Sequence, residues 1–249
     1  MTSSLKLTLG TALLVAFSSA PAPGADLSSL QKAYFAGTKP GSWARYEQTT
    51  TDAKGKVQKS VMTFSRLANE GDRTWLEIRT EPKEGSKAKP TTMKYLMNLD
   101  FKVEKNALDY VKHIDRLILQ EDGKEAMEYP PDMLQTVLGA LAVSVDYGAD
   151  VTSLGGGSEG GTPCDRYSMN GSFDVKMAFI RMKGTTESDI CLSEKVPFGR
   201  VAEATVTKDE KGKQTMRSEM KLLETGTGAT SRITGPVKKI EMPKMPWGS

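Results

Sequence analysis

Two cysteines, one histidine, several neighbouring acids and an unusual number of methionines are the residues of this chain that could carry a chemistry. Cys164 and Cys191 lie 27 positions apart. They do not form the Cys-x-x-Cys of a redox site, and two thiols are too few ligands for a metal centre. The remaining role is a disulfide, provided the compartment is oxidising. The segment between them reads as one strand going out and another returning, so the bridge would staple neighbouring strands. His113 and Asp115 are two apart, and on a strand they would share a face, as a catalytic triad could require. No Gly-x-Ser-x-Gly elbow accompanies them, and the expectation is a polar surface pair. The acids Glu121 with Asp122, and Glu159 with Asp165, read as loop charge, because glycosidase chemistry needs two carboxyls held across a cleft. The inventory therefore predicts no catalytic residue, no metal and no cofactor.

Methionine is the more informative type. There are 13, against seven phenylalanines. The thioether is polarizable and has three rotatable bonds, so it suits ligands of irregular shape as well as ordinary core filling. In "TMKYLMNLDF" the residues Met93, Tyr95, Met97 and Leu99 fall on one face of a strand, with Lys94 and Asn98 on the other. Met177 and Phe179 alternate in "SFDVKMAFIRMKG", and Met216 and Met220 alternate in "KQTMRSEMKLLE". These eight residues are the candidate lining of an apolar ligand cavity.

The elements that must position them begin after residue 25. Residues 1–25, "MTSSLKLTLGTALLVAFSSAPAPGA", combine Lys6, an apolar run of about eleven residues and a small-residue segment, the pattern of a secretory signal peptide cleaved between Ala20 and Ala25. The run is too short to span a bilayer, and neither cysteine follows it closely enough for lipid attachment. The expectation is a periplasmic or secreted chain without a transmembrane anchor, in which a disulfide would form. A hydrophobic fraction of 38% and a charged fraction of 26% describe an ordinary globular protein. A net charge of +3 spread along the chain argues against a nucleic-acid surface.

Period-two patterning dominates the mature chain. Strands are expected in "WARYEQTTT", "KVQKSVMTFSRL", "RTWLEIRTE", "TMKYLMNLDF" and "VKHIDRLILQ". Further strands follow in "SFDVKMAFIRMKG", "RVAEATVTKD" and "KQTMRSEMKLLE". Hairpin turns are expected at 52–55 and 210–212. Two helices are predicted, over 29–35 and in "PPDMLQTVLGALAV", where two prolines and Asp132 suit the first turn. The glycine-rich stretch 154–162 reads as a flexible connector inside a single domain spanning 26–235, and residues 236–249 as a loosely held tail. The fold class is mainly β within α+β: one large, curved antiparallel sheet, an unclosed barrel, with a few covering helices.

The segments "GSWARYEQ", "LILQEDGKEAMEYP", "GTPCDRYSMNG" and "CLSEKVPFGRVAEATV" together resemble the exported lipoprotein-carrier superfamily of LolA and LolB. In that superfamily a strand ends in a short segment before "VP-G-V", and the next strand returns along the sheet. The resemblance implies a half-barrel around a hydrophobic cavity lidded by helices, and a lipid or acylated ligand carried across water. Burial of about 0.8 kcal/mol per CH₂ would drive such binding. The glycine-rich insert, the disulfide and the missing lipidation site depart from the pattern, so a free lipid, a glycolipid or a peptide fits as well as a lipoprotein. The alternative is a non-enzymatic envelope protein-interaction or sensing domain on the same fold, meeting an envelope protein partner through a sheet edge.

Overall fold

Two turns with the same chemistry set the register of the central strands. In "DAKGK" (52–56) the Asp52 carboxylate accepts from the backbone N–H groups of Lys54 and Lys56 at 2.8 and 2.9 Å. In "DEKGK" (209–213) Asp209 accepts from Lys211 and Lys213, both at 2.9 Å. Gly55 and Gly212 take φ of 78° and 77°, a left-handed conformation that costs glycine nothing. The first turn joins β1 (Trp43–Asp52) to β2 (Val57–Glu70), and the second joins β10 (Arg200–Asp209) to β11 (Gln214–Gly226). Both hairpins fall where the sequence predicts them.

The computed structural model describes residues 34–35, 37–83, 86, 88–99, 113–130, 144–177 and 180–240. The other strands are β3 (Arg73–Pro82), β4 (Thr91–Met97), β5 (Ile114–Glu121), β6 (Ala126–Tyr129), β7 (Ser144–Glu159), β8 (Thr162–Met177), β9 (Ile180–Leu192) and β12 (Val237–Lys239). All twelve form one sheet in the order β12-β6-β5-β4-β3-β2-β1-β11-β10-β9-β8-β7. The sheet is antiparallel except for β12 against β6, and among the described residues β7 and β12 are its unjoined edges. The mainly-β, unclosed sheet is therefore as expected. The predicted helix over 29–35 is described only at its last two residues, which are helical. The signal peptide lies outside the described residues, and so does the helix expected over 130–143 except for Pro130.

Three expectations are corrected. The glycine-rich stretch 154–162 is not a connector but the closed end of the β7–β8 hairpin, with Glu159 opposite Thr162 and Gly157 opposite Cys164. Gly160 and Gly161, at φ of 56° and 80°, supply the two positive-φ positions of a two-residue hairpin turn. "SFDVKMAFIRMKG" is not one strand. β8 ends at Met177 and β9 starts at Ile180, and these two residues are paired. The apolar alternation runs through the reversal without a glycine, proline or asparagine to mark it. Finally, residues 237–239 of the tail expected to be loose form β12 on β6.

β12 reaches β6 because residues 227–236 cross the sheet as a strap. Glu77 on β3, almost fully buried, accepts from Ser231 Oγ at 2.6 Å and from the Arg232 N–H at 2.8 Å. Gln120 on β5 exchanges two hydrogen bonds with the Thr234 backbone, at 2.9 and 3.0 Å. Ala229 and Ile233 pack against Trp75, Leu96 and Ile118 on the same face. Lys94 and Arg116 flank the Trp75 ring at 4.5 and 5.0 Å.

Candidate functional site

The main core lies on the opposite face from the strap. Ala44 and Tyr46 of β1, Met62 of β2, Leu76 and Ile78 of β3, Tyr95 and Met97 of β4, Leu117 of β5 and Met220 of β11 form one buried cluster. Strand alternation places them there. Ile78 is opposite Met93, Tyr95 opposite Leu117, and Gln48, two residues after Tyr46, opposite Met220. Of the eight candidate lining residues, Met93, Tyr95, Met97, Leu99 and Met220 come together in this cluster, with Met93 and Leu99 only partly buried against it. Met216 follows the same alternation along β11 but sits toward the hairpin end, opposite Asp52 and Thr207, outside the cluster. Met177 closes β8 by backbone pairing with Ile180, and its side chain, like Phe179 as a whole, lies outside the described residues.

A loop plugs this face. After β9 the chain makes a tight excursion, 193–199, closed by the Ser193 N–H donating to Gly199 O at 2.7 Å. Phe198 stands there at φ 62°, a strained conformation for a bulky side chain. Its N–H donates to Thr38 Oγ1 at 2.7 Å. Its ring lies 6.4 Å from that of Phe35 and 5.8 Å from that of Phe64. Tyr46 donates through its hydroxyl to Pro197 O at 3.4 Å. Gly37 makes the docking possible, since a β-carbon there would stand 2.5 Å from Glu194 O and 2.9 Å from Val196 O. Gly37→Ala is therefore expected to cost about 1–3 kcal/mol by overpacking, read as a lowered urea midpoint. An unchanged midpoint would mean that the loop is free to shift.

The cysteines anchor the foot of the same loop. Cys164 and Cys191 are bridged, with Cα atoms 5.5 Å apart on the neighbouring strands β8 and β9, as their spacing predicts. They pack with Val196 inside the excursion and Val201 just after it.

Beyond the plug the face turns polar, which sequence reading missed. Arg200 and Glu203 form a buried ion pair, Nε to Oε2 2.8 Å, with the guanidinium 5.2 Å from the Tyr34 ring and its Nη1 donating to Met220 Sδ at 3.2 Å. Burial opposes the Arg200 charge, but Glu203 and the two tyrosines hold its pKa above the ordinary value. Burial likewise pushes the Tyr34 and Tyr46 hydroxyls up. Thr50, Ser218, Thr205 and Ser188 then line up across β1, β11, β10 and β9 in one rung. Gln48 and Glu203 lie in the adjacent rung, on either side of Met220. The sequence signal was available: every second residue of "TES" (186–188), "EAT" (203–205) and "SEM" (218–220) is a hydroxyl, an acid or a thioether rather than an aliphatic.

Three of the acids weighed as catalytic candidates are ion-paired. The Asp115 carboxylate pairs with Arg73 at 2.6 Å. Asp122 holds Arg79 through two hydrogen bonds of 2.7 and 3.0 Å, which lower the carboxyl pKa and raise that of the guanidinium. Glu121 pairs with Lys124 at 2.9 Å. Among the described residues no group of three His, Cys, Asp or Glu side chains converges as a metal site would require. A groove of about 750 Å³ does exist, but under the strap on the other face. Its lining is largely polar and charged, with Arg45 held by Glu224 at 2.9 Å, so it is not the apolar cavity expected from the methionines.

No family model matches the chain, and no curated protein matches it. Solved structures overlap with it at low scores. A Bacteroides fragilis protein with a YmcC-like fold aligns at a TM-score of 0.39 and 9% identity, over 77% of this chain and 100% of its own. A protein described as an outer membrane lipoprotein-sorting domain, from Vibrio parahaemolyticus, aligns at a TM-score of 0.31 and 9% identity, over 80% of this chain and 90% of its own. A DUF1329 family protein of Desulfovibrio piger aligns at 0.32 and 8% identity, over 88% and 92%.

Proposed function

We propose that this chain is an exported, non-enzymatic carrier or binding protein for lipid-like or acylated ligands, held against the apolar face built by β1–β5 and β11. The observation that carries the reading is the composition of that face. Phe64, Met93, Leu99, Leu119, Tyr129 and Leu222 are only partly buried there, and Met93 and Leu99 bring pliable side chains to it. The leader-like residues 1–25 and the bridged cysteines suit an oxidising compartment. Met97 is fully buried, so a charge there would test folding rather than binding. Met93 is the better probe.

Native mass spectrometry of the mature protein, followed by organic extraction, tests the reading. A stoichiometric amphiphile is expected with the unmodified chain. Met93→Glu is expected to lose it while keeping the disulfide and cooperative unfolding. A protein that purifies empty and takes up no fluorescent fatty acid would overturn the carrier reading. The second reading is an interaction or sensing domain. It draws on β7, whose outer edge is unpaired among the described residues and whose positions 152–159 are all exposed, a ready template for a partner's strand.

A further inference from the structure

The face proposed to hold a ligand is divided into two chemistries, and the polar half is under-satisfied. Ser188, Thr205, Ser218, Gln48 and Thr186 are all buried. The hydrogen bonds that join them are few and several are long: Gln48 Nε2 to Ser218 Oγ is 3.4 Å, Ser60 Oγ to Gln48 Oε1 3.4 Å, and Thr205 Oγ1 to Glu203 Oε1 3.3 Å. Only the 2.9 Å contact of Ser188 with Thr205 is short. Thr186 lies one rung further along β9, opposite Thr207, and its buried hydroxyl has no partner. A buried hydroxyl offers one donor and two acceptor sites, and leaving it unpaired costs about 1–3 kcal/mol. Native interiors avoid that cost unless the group has another use.

The charge pattern limits what that use can be. Among the described residues the only buried charged side chains on this half, Arg200 and Glu203, are paired with each other, so none of the described buried cations there is left over to hold a phosphate or carboxylate. What remains is a strip of groups that each donate and accept, as the hydroxyls of a sugar do. Met220 joins the two halves: it belongs to the apolar cluster and lies directly between Gln48 and Glu203. An acyl chain on the apolar side would therefore bring its headgroup onto the strip.

We propose that the strip around Thr186, Ser188, Thr205, Ser218 and Gln48 is a headgroup subsite for an uncharged, hydroxyl-rich amphiphile, a sugar-bearing lipid. The assignment rests on the carrier reading above and narrows it to one ligand class. It makes Thr186 a specificity residue whose hydroxyl is completed by the ligand.

The test is calorimetric titration of delipidated, disulfide-intact protein with three dodecyl probes below their micellar concentrations: dodecyl maltoside, dodecyl phosphate and dodecanol. The maltoside is expected to bind about tenfold or more tighter than the phosphate, the equivalent of one or two added hydrogen bonds. Thr186→Val keeps the side-chain shape. It is expected to weaken maltoside binding about tenfold, to leave dodecanol binding unchanged, and to leave the melting temperature unchanged or raised. Thr186→Ser, which keeps the hydroxyl, is expected to retain maltoside affinity. If the phosphate binds as tightly as the maltoside, or if Thr186→Val weakens dodecanol equally, the headgroup assignment is overturned and the carrier reading stands. If none of the three binds, both fall.

Discussion

Arg200→Met is expected to destabilise the protein by about 3–5 kcal/mol, because it strands the Glu203 carboxylate in a buried site. The structure makes the loss specific. Arg200 and Glu203 are both almost fully buried, and the carboxylate's other contact is a 3.3 Å hydrogen bond from Thr205, too weak to replace a guanidinium. Methionine is close in length to the arginine stem, so little packing is lost with it. The double variant Arg200→Met with Glu203→Leu is therefore expected to recover most of the stability, since a buried ion pair replaced by apolar residues of similar size is often neutral or better. Urea denaturation of the four proteins of this cycle measures the coupling directly. A single variant within 1 kcal/mol of the parent would show that the pair is hydrated or already broken, and a double variant no better than the single would show that the site depends on Arg200 for more than charge.

Removing the disulfide is the second large effect. For a loop closed over 27 positions, the chain-entropy relation gives a loss of about 3.5 kcal/mol. Cys164→Ala with Cys191→Ala is expected to show it as a lower denaturation midpoint, matched by the parent under reductant. The loss should also have a location. The bridge stands at the foot of the 193–199 excursion and packs on Val196 and Val201, so amide protection is expected to fall first around Phe198 and in the β8–β9 ladder. A change below 1 kcal/mol, or one spread evenly over the sheet, would mean that the paired strands β8 and β9 hold each other without the bridge.

Much of this architecture was legible before any coordinates, and the reasons differ from element to element. The Asp-x-Lys-Gly-Lys turns at 52–56 and 209–213 carry their own conformational signal, so their hairpins could be read locally. Met93, Tyr95 and Met97 could be assigned to one face because a strand has a strict period of two. The glycine-rich hairpin end was misread because flexible connectors and positive-φ turns draw on the same residue. The Gly160-Gly161 pair, two residues between alternating segments, was the cue that distinguished them. The reversal after Met177 could not be read, since its residues continue the apolar alternation of both strands. Met216 illustrates the limit for the site. Its parity along β11 is that of Met220, but which rung meets the apolar cluster depends on β1 and β10, far away in sequence. The same holds for Arg200 and Glu203: three positions apart, they look like surface charge until a bulge between Arg200 and Ala202 turns both to one face.

The placement of β1 has a consequence for how the molecule is made. Its two neighbours are β2, next along the chain, and β11, whose partner residues are as much as 183 positions later for Trp43 with Gly226. The strap then carries the chain from that seam across β3 and β5 to β6. Both unions wait for the last quarter of the sequence, so the six N-terminal strands emerge with one side of β1 open and their far edge unmatched. Contacts this distant slow folding. Such a chain stays incompletely paired for longer than one that closes its sheet locally.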